Sequence, residues 1–235
     1  MSETQNQTSS KAVTPLTHHK PNTQLVENIP PSAQTVLEIG CGSGATGELY
    51  LRRNPRARYI GLEISQDYAA IARQHITECF VGNIETIDIL MLTGGVAPDC
   101  IVFGDVLEHL QDPWSLLKKL KDQISTNGCI VACVPNTGHW SVITALLSGQ
   151  WPYADSGLFD RTHLRFFTQQ SLRHLFESAG LHVATLKSRI HITPAKTDVV
   201  PTLINVAKSF GIQNAELENE LNTFQWLIRG EVQSH

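Results

Sequence analysis

The run Leu37-Glu-Ile-Gly-Cys-Gly-Ser-Gly44 constrains this chain more than any other feature. It overlaps the end of Thr35-Val-Leu-Glu-Ile39, a short β-rich run, and precedes a helix predicted over Ala45 to Arg53. Gly40, Gly42 and Gly44 let the backbone turn tightly and approach a ligand closely. The helix start behind them offers free N–H groups. About 20 residues on, at the end of a second predicted strand, stands Glu63. A carboxylate there accepts hydrogen bonds from both hydroxyls of a ribose. Strand, glycine turn, helix and acidic strand end together describe an adenosine-containing ligand at the edge of a parallel sheet.

The rest of the chain repeats the same rhythm. Arg58–Leu62, Cys79–Val81, Cys100–Phe103 and Cys129–Val134 read as further strands. Such apolar runs, without alternation, suit strands covered on both faces. Ser65 caps a helix carrying Ala69, Ala72 and Ile76, and Asp112-Pro113 opens one carrying Leu116, Leu117, Leu120 and Ile124. Thr168 caps another, which Gly180 ends before a sixth strand over Leu181–Leu186. Helical stretches are predicted in 201–210 and 214–222, and Phe224–Val232 as a last strand, antiparallel at or near the sheet edge. The expected fold is α/β, a doubly wound Rossmann-like sheet with helices on both faces. Residues 1–24, rich in Ser, Thr and Gln at their start, are expected to form a mobile tail, and 25–235 a single domain. Residues 136–167 break the rhythm and are expected to cover an acceptor site.

Composition narrows the partners. Of 235 residues, 18 are Lys or Arg and 22 Asp or Glu, a net charge of -4 that offers no basic footprint for nucleic acid. No apolar run approaches the roughly 20 residues of a membrane span, and the N-terminus lacks an apolar signal core. Cys41, Cys79, Cys100, Cys129 and Cys133 lie in or beside apolar runs, as buried thiols of a reducing, cytoplasmic compartment would. Neither a disulfide framework nor a CxxC metal site is present in the sequence, and no metal is expected. The 10 histidines are the unusual entry in the composition.

Gly40-x-Gly42-x-x-Ala45 also satisfies the dinucleotide fingerprint, which leaves an NAD(P)-dependent oxidoreductase open. Three observations favour S-adenosylmethionine. Glu38 would repel a pyrophosphate but can face an ammonium group. The loop reads E-x-G-x-G-x-G. Gly82-Asn83-Ile84-Glu85, after the third strand, can edge an adenine. An oxidoreductase would also need a hydride-transfer constellation, and no Tyr-x-x-x-Lys pair follows the fourth strand.

In order along the chain, VLEIGCGSG, GLEIS, GNIE and DCIVFGDVLEHLQDP resemble the motif set of class I S-adenosylmethionine-dependent methyltransferases. The nearest flavour is the branch with ubiquinone-biosynthesis O-methyltransferases and MetW-like proteins, and the resemblance spans about residues 30 to 190. It implies a seven-stranded sheet with an antiparallel last strand. It implies Glu38, Gly40, Cys41, Gly42 and Gly44 around the methionine moiety, and Glu63 and Ile64 at ribose and adenine. Asn83, beside Ile84, stands where the family often has Asp, so its amide oxygen would meet the adenine amino group. A MetW-like, non-catalytic cofactor-binding module is a further alternative.

After the fourth strand, the backbone of Gly104 and Asp105 can meet the cofactor's amino group. Asp105, Glu108 and His109 share one face if helical. His109 then reads as a general base, as part of a divalent-metal trio, or as a structural group fixing the Glu108 loop. The signature [DN]-P-P-[YF] of nucleobase N-methyltransferases is replaced here by GDVL, which disfavours base methylation. In the insert, Trp140, Trp151 and Tyr153 with Asp160, Arg161 and Arg165 describe an aromatic site with a few polar groups, as a sugar needs. The bland alternative is a lid packed by its own aromatics, with Asp160-Arg161 as a local salt bridge. His109, His163 and His139 are the candidates for acid–base chemistry. DSGLFDRTHLRFFT also resembles bacterial methyltransferases linked to surface polysaccharides. The expected reaction is methyl transfer to a hydroxyl of a small molecule or glycan precursor.

Overall fold

The computed structural model describes residues 19–190 and 198–233. Residues 1–18 of the expected tail, with His18, lie outside the described residues, as do His191 and His235. The chain runs α1 (Thr23–Asn28), β1 (Thr35–Ile39), α2 (Ala45–Arg53), β2 (Arg58–Glu63), α3 (Gln66–Ala72) and β3 (Glu78–Val81). It continues as α4 (Ile89–Thr93), β4 (Cys100–Gly104), α5 (Pro113–Lys121), β5 (Cys129–Pro135) and α6 (Trp140–Leu147). It ends as α7 (Gln169–Ser178), β6 (His182–Arg189), α8 (Val199–Ser209), α9 (Leu217–Asn222) and β7 (Gln225–Glu231).

The seven strands lie in the order β3-β2-β1-β4-β5-β7-β6. Pairing is parallel from β3 to β5, while β7 runs antiparallel to both β5 and β6. The antiparallel last strand thus lies one place in from the edge, which β6 occupies. Strand order reverses between β1 and β4, so the glycine loop and the segment after β4 leave the sheet side by side. Crevices at such reversals hold ligands in doubly wound sheets.

Both faces are covered, for the reason the apolar runs announced. On one side Leu37, Ile60, Ile101 and Ile130 pack with α5 and α7 through Leu117, Leu175 and Phe176. On the other, Val36, Tyr59, Val102 and Val131 pack with α1, α2 and α3 through Leu25, Tyr50 and Ala69. The predicted caps are present: Ser65 accepts from Tyr68 N–H, Asp112 from Ser115 N–H and Thr168 from Ser171 N–H. Among the described residues no helix is long and apolar enough to cross a membrane.

Two boundaries differ from the sequence reading. Thr23 and Gln24, assigned there to the tail, open α1 under an Asn22 cap, and Leu25 and Val26 are buried. The insert 136–167 contains a helix, α6, whose sequence WSVITALL is too uniformly apolar to show a helical period.

Gly47 marks the tightest helix–sheet approach. A β-carbon there would stand 2.5 Å from Tyr59 Cε1 and 2.5 Å from Ile76 Cγ2. Gly47→Ala is expected to destabilise the domain by about 1–3 kcal/mol through overpacking, read as a lowered denaturant midpoint at unchanged slope.

Candidate active site

The site begins with an ion held by the backbone. Glu63 closes β2 and is only 8% exposed. One carboxylate oxygen accepts from Gly42 N–H at 2.8 Å, the other from Ser65 N–H at 2.9 Å. The acidic residue and the glycine loop, separated in sequence, are therefore one unit. Gly40 N–H donates to Leu62 O at 2.7 Å, which ties the loop to the end of β2 a second time. Gly40 has φ of 68°, and a β-carbon there would lie 2.5 Å from Val106 Cγ2. The loop thus touches the segment after β4, and only glycine fits that contact.

These elements enclose a cavity of about 280 Å³ lined by Gly40, Glu63, Ile64, Asn83, Ile84 and His109, among others. Ile64 is 74% exposed at its rim, an apolar wall without a partner of its own. Asn83 Oδ1 accepts from Glu85 N–H at 3.0 Å, which fixes the amide beside the cavity.

A second cavity, about 220 Å³, shares His109 with the first and is lined by Asp105, Glu108, Asp160, His163 and Gln225. Asp105 holds a left-handed φ of 56°, a conformation Asp tolerates better than most. Its N–H donates to Cys133 O, and its carboxylate accepts from Gln225 at the head of β7. Burial raises the Asp105 pKa to about 6 against the lowering charges of Arg189 and His109.

Glu108 is fully buried, and neither carboxylate oxygen has a hydrogen-bond partner on another described residue. Burial, reinforced by Asp105, pushes its pKa well up and favours its neutral form. His163 Nε2 lies 4.0 Å from Glu108 Oε1, and the rings of His109 and His163 meet edge to face at 4.9 Å. Burial and the His109 charge lower the His163 pKa, which favours its neutral form. His109 Nδ1 lies 3.2 Å from the Thr162 carbonyl oxygen. Nδ1 is also 3.2 Å from Thr162 Oγ1, whose hydroxyl donates to Asp160 Oδ1 at 2.6 Å, so both Thr162 oxygens accept from a proton on Nδ1, and in that tautomer Nε2 has its lone pair free. The insert is pinned over this cavity by Leu164 and Arg165 N–H groups, both donating to Glu108 O.

Several residues singled out from sequence have other places. Glu38 is buried beneath the loop, accepts from Tyr59 OH at 3.1 Å and has a pKa raised to about 8 by burial. It lines neither cavity. The Cys41 side chain turns into the core, 3.6 Å from Cys79 Sγ, and only its backbone belongs to the loop. Gly42 contributes its N–H to Glu63, and Gly44 forms the left-handed cap of α2. Gly104 packs toward Leu25 of α1. Trp140 stacks on His139, and Trp151 packs edge-on against Phe159 and Phe166. Tyr153 is exposed, Arg161 pairs with Asp155 at 2.9 Å, and Arg165 reaches Gln111 O and the Trp114 ring. Of the six aromatic or charged insert residues expected at an acceptor, Asp160 alone lines either cavity, the second.

Residues not singled out also matter. Gln225 lies on the acid-lined cavity, and Asn136 joins β5 to the β6–β7 connection through Glu220 O and Thr223 O, both at 2.8 Å. A buried polar residue directly after an apolar strand is the signal that marks Asn136.

His139 corrects the catalytic trio. It is 3% exposed, caps α6 by accepting from Ser141 N–H, and packs on Trp140 and Phe224. It lines neither cavity. Burial lowers its pKa to about 4. A depressed histidine stabilises the fold above its unfolded pKa, and that stability is lost as pH falls toward the folded value. Unfolding free energy is therefore expected to drop between about pH 6.5 and pH 4, and His139→Gln should flatten that slope in denaturant titrations.

With this geometry in hand, the comparisons with known proteins are informative. The methyltransferase domain family matches residues 17–186. A trans-aconitate 2-methyltransferase from Methylobacterium nodulans is 30% identical over 118 residues, 50% of this chain and 45% of the relative. The chain thus spans less than half that relative's length. A ubiquinone biosynthesis O-methyltransferase from Acinetobacter baumannii is 23% identical over 167 residues, 69% of each chain. The fold matches a crystal structure of a SAM-dependent methyltransferase from Archaeoglobus fulgidus with a TM-score of 0.57 and 17% identity, covering 89% of this chain and 90% of that one. The chain belongs to the methyltransferase domain family, of the class I S-adenosylmethionine-dependent kind.

Proposed function

We propose that the protein transfers a methyl group from S-adenosylmethionine to a hydroxyl of a small molecule, sugar or glycan precursor. The observation that carries this reading is His109, shared by the cavity at the glycine loop and Glu63 and by an acid-lined one. The residues fit the cofactor. A carboxylate has about four acceptor positions, and the loop uses two on Glu63, leaving others for ribose hydroxyls. Ile64 and Ile84 offer apolar walls to a base, and the free lone pair of Asn83 Oδ1 suits its amino group.

When bound, the cofactor supplies a methyl carbon activated by a positive sulfonium. What the chain must add is alignment, exclusion of water and removal of one proton. His109 Nε2 can take the acceptor's hydroxyl proton, and His163 holds the ring edge-on. The lowered pKa of His163 favours a neutral ring beside His109. Asp105, Glu108 and Asp160 make the second cavity acidic. Asp160 is held ionised by Thr162, so an anionic acceptor such as a tricarboxylate would be repelled. That supports a neutral hydroxyl acceptor over the acid in the name of the trans-aconitate relative. Five buried, unpaired thiols support a reducing, cytoplasmic compartment.

One observation favours a second reading of the same cavity. Both Glu108 oxygens are orphaned, and ligand atoms of Glu108, His109 and His163 lie within 4.8 Å of one another, which suits a divalent cation orienting the acceptor. Loss of turnover on chelation, restored by a divalent salt, would select it over the base.

Calorimetry with S-adenosylmethionine, S-adenosylhomocysteine and NAD, then labelled-methyl transfer to hydroxyl and carboxylate acceptors, tests the proposal. Saturable NAD binding without adenosylmethionine binding would sink it. Tight cofactor binding with no acceptor ever methylated would select a non-catalytic module. Glu63→Ala is expected to weaken cofactor binding by about 1.5–3 kcal/mol per lost charge-assisted bond. His163→Ala should lower turnover while cofactor affinity stays within experimental error.

A further inference from the structure

Away from the transfer site, three side chains from three segments converge on one point. His19 precedes α1, Glu48 lies on α2 and His75 follows α3. His19 Nε2 is 2.9 Å from Glu48 Oε2, and His75 Nδ1 is 3.5 Å from that same oxygen. The two imidazoles face each other with centroids 4.4 Å apart, and one ligand atom from each of the three residues lies within 4.8 Å of the others. Their side chains are 32%, 27% and 29% exposed, open enough for an ion to enter from solvent.

We propose that His19, Glu48 and His75 form a binding site for a divalent transition metal of the zinc type, separate from the methyl-transfer site. Two imidazoles and one carboxylate are a zinc donor set, which leaves a fourth position for water. Magnesium and calcium prefer oxygen alone. Bonds of about 2.1 Å set tetrahedral edges of about 3.4 Å, and the two measured separations to Glu48 Oε2 lie on either side of that value.

The outer groups are also in place. His19 Nδ1 is 2.9 Å from Ser43 Oγ, which orients the ring with Nε2 toward the trio. The second Glu48 oxygen accepts from Arg52 Nη2 at 2.7 Å, which holds the carboxylate and leaves Oε2 to the metal. Partners of this kind on the far side of a ligand fix its orientation and raise affinity. Because Ser43 belongs to the glycine loop, an ion here would clasp the segment before α1 to the loop's outer edge.

The test uses the full chain, stripped with chelator, titrated with Co²⁺ as a visible probe and competed with Zn²⁺. The expected result is a low-symmetry cobalt spectrum that Zn²⁺ abolishes. His19→Gln and His75→Gln should each lower stoichiometry by one ion, or weaken that site about tenfold or more. Ser43→Ala should weaken it about tenfold, while His163→Ala leaves it intact. Failure of the wild-type chain to bind Co²⁺ or Zn²⁺ would overturn the proposal, as would unchanged binding in both His19→Gln and His75→Gln. Loss of the signal in His163→Ala alone would also overturn it. His19→Gln lies outside the sheet core, so it carries the test if His75→Gln does not fold.

Discussion

Everything at the ligand edge depends on two backbone N–H groups meeting one carboxylate. A nearly buried anion is costly unless several donors receive it. Glu63 finds those donors in the glycine loop and in the turn toward α3. The loop gains a fixed shape, and the carboxylate gains an orientation without a charged side-chain partner. A lysine or arginine in that place would neutralise the group and occupy the lone pairs a ribose requires. Backbone donors leave both the charge and the spare acceptor positions in place.

The three buried glutamates show how burial alone does not set a role. Glu38, held by Tyr59 and raised to about 8, is mostly a neutral hydrogen-bonding group under the loop. Glu63 is saturated on one side by amides. Glu108 has no partner on another described residue, yet it lies in the same crevice. The first stabilises the support, the second presents a charge, and the third is the kind of unsatisfied group that natural folds retain where chemistry occurs.

The sheet, most of its helices and the Glu63 unit were legible in the sequence because each rests on a local rule: apolar runs, caps and glycine spacing; α4 and α6 were not. The meeting of Glu63 with Gly42 could be anticipated, since Glu63 closes β2 and Gly42 lies in the loop that follows the adjacent parallel strand β1. Side-chain direction was less accessible. Cys41 lies within the loop motif, yet its thiol turns inward to Cys79, and no spacing rule tells a backbone contribution from a side-chain one. His139 resembles a functional histidine from its place after β5, but that place is also a helix start, and the cap dominates. Of the insert's aromatics, Trp151, Phe159 and Phe166 pack on one another, Trp140 packs on His139, and Tyr153 is exposed. His19 read as tail because its partners, Glu48 and His75, are remote in sequence.

The place of β7 has a consequence for biosynthesis. This strand slots between β5 and β6, although β6 precedes it in the chain. While the chain emerges from a ribosome, β5 must wait with an unpaired edge, and β6 cannot settle beside its eventual neighbour. The turn at Asp105 waits too, since its partner Gln225 lies 120 residues downstream. Long-range pairings of this kind close late. A nascent chain can therefore complete the glycine-loop half early, yet the cavity lined by Asp105 and Gln225 stays unfinished until the final strand has been threaded into the sheet.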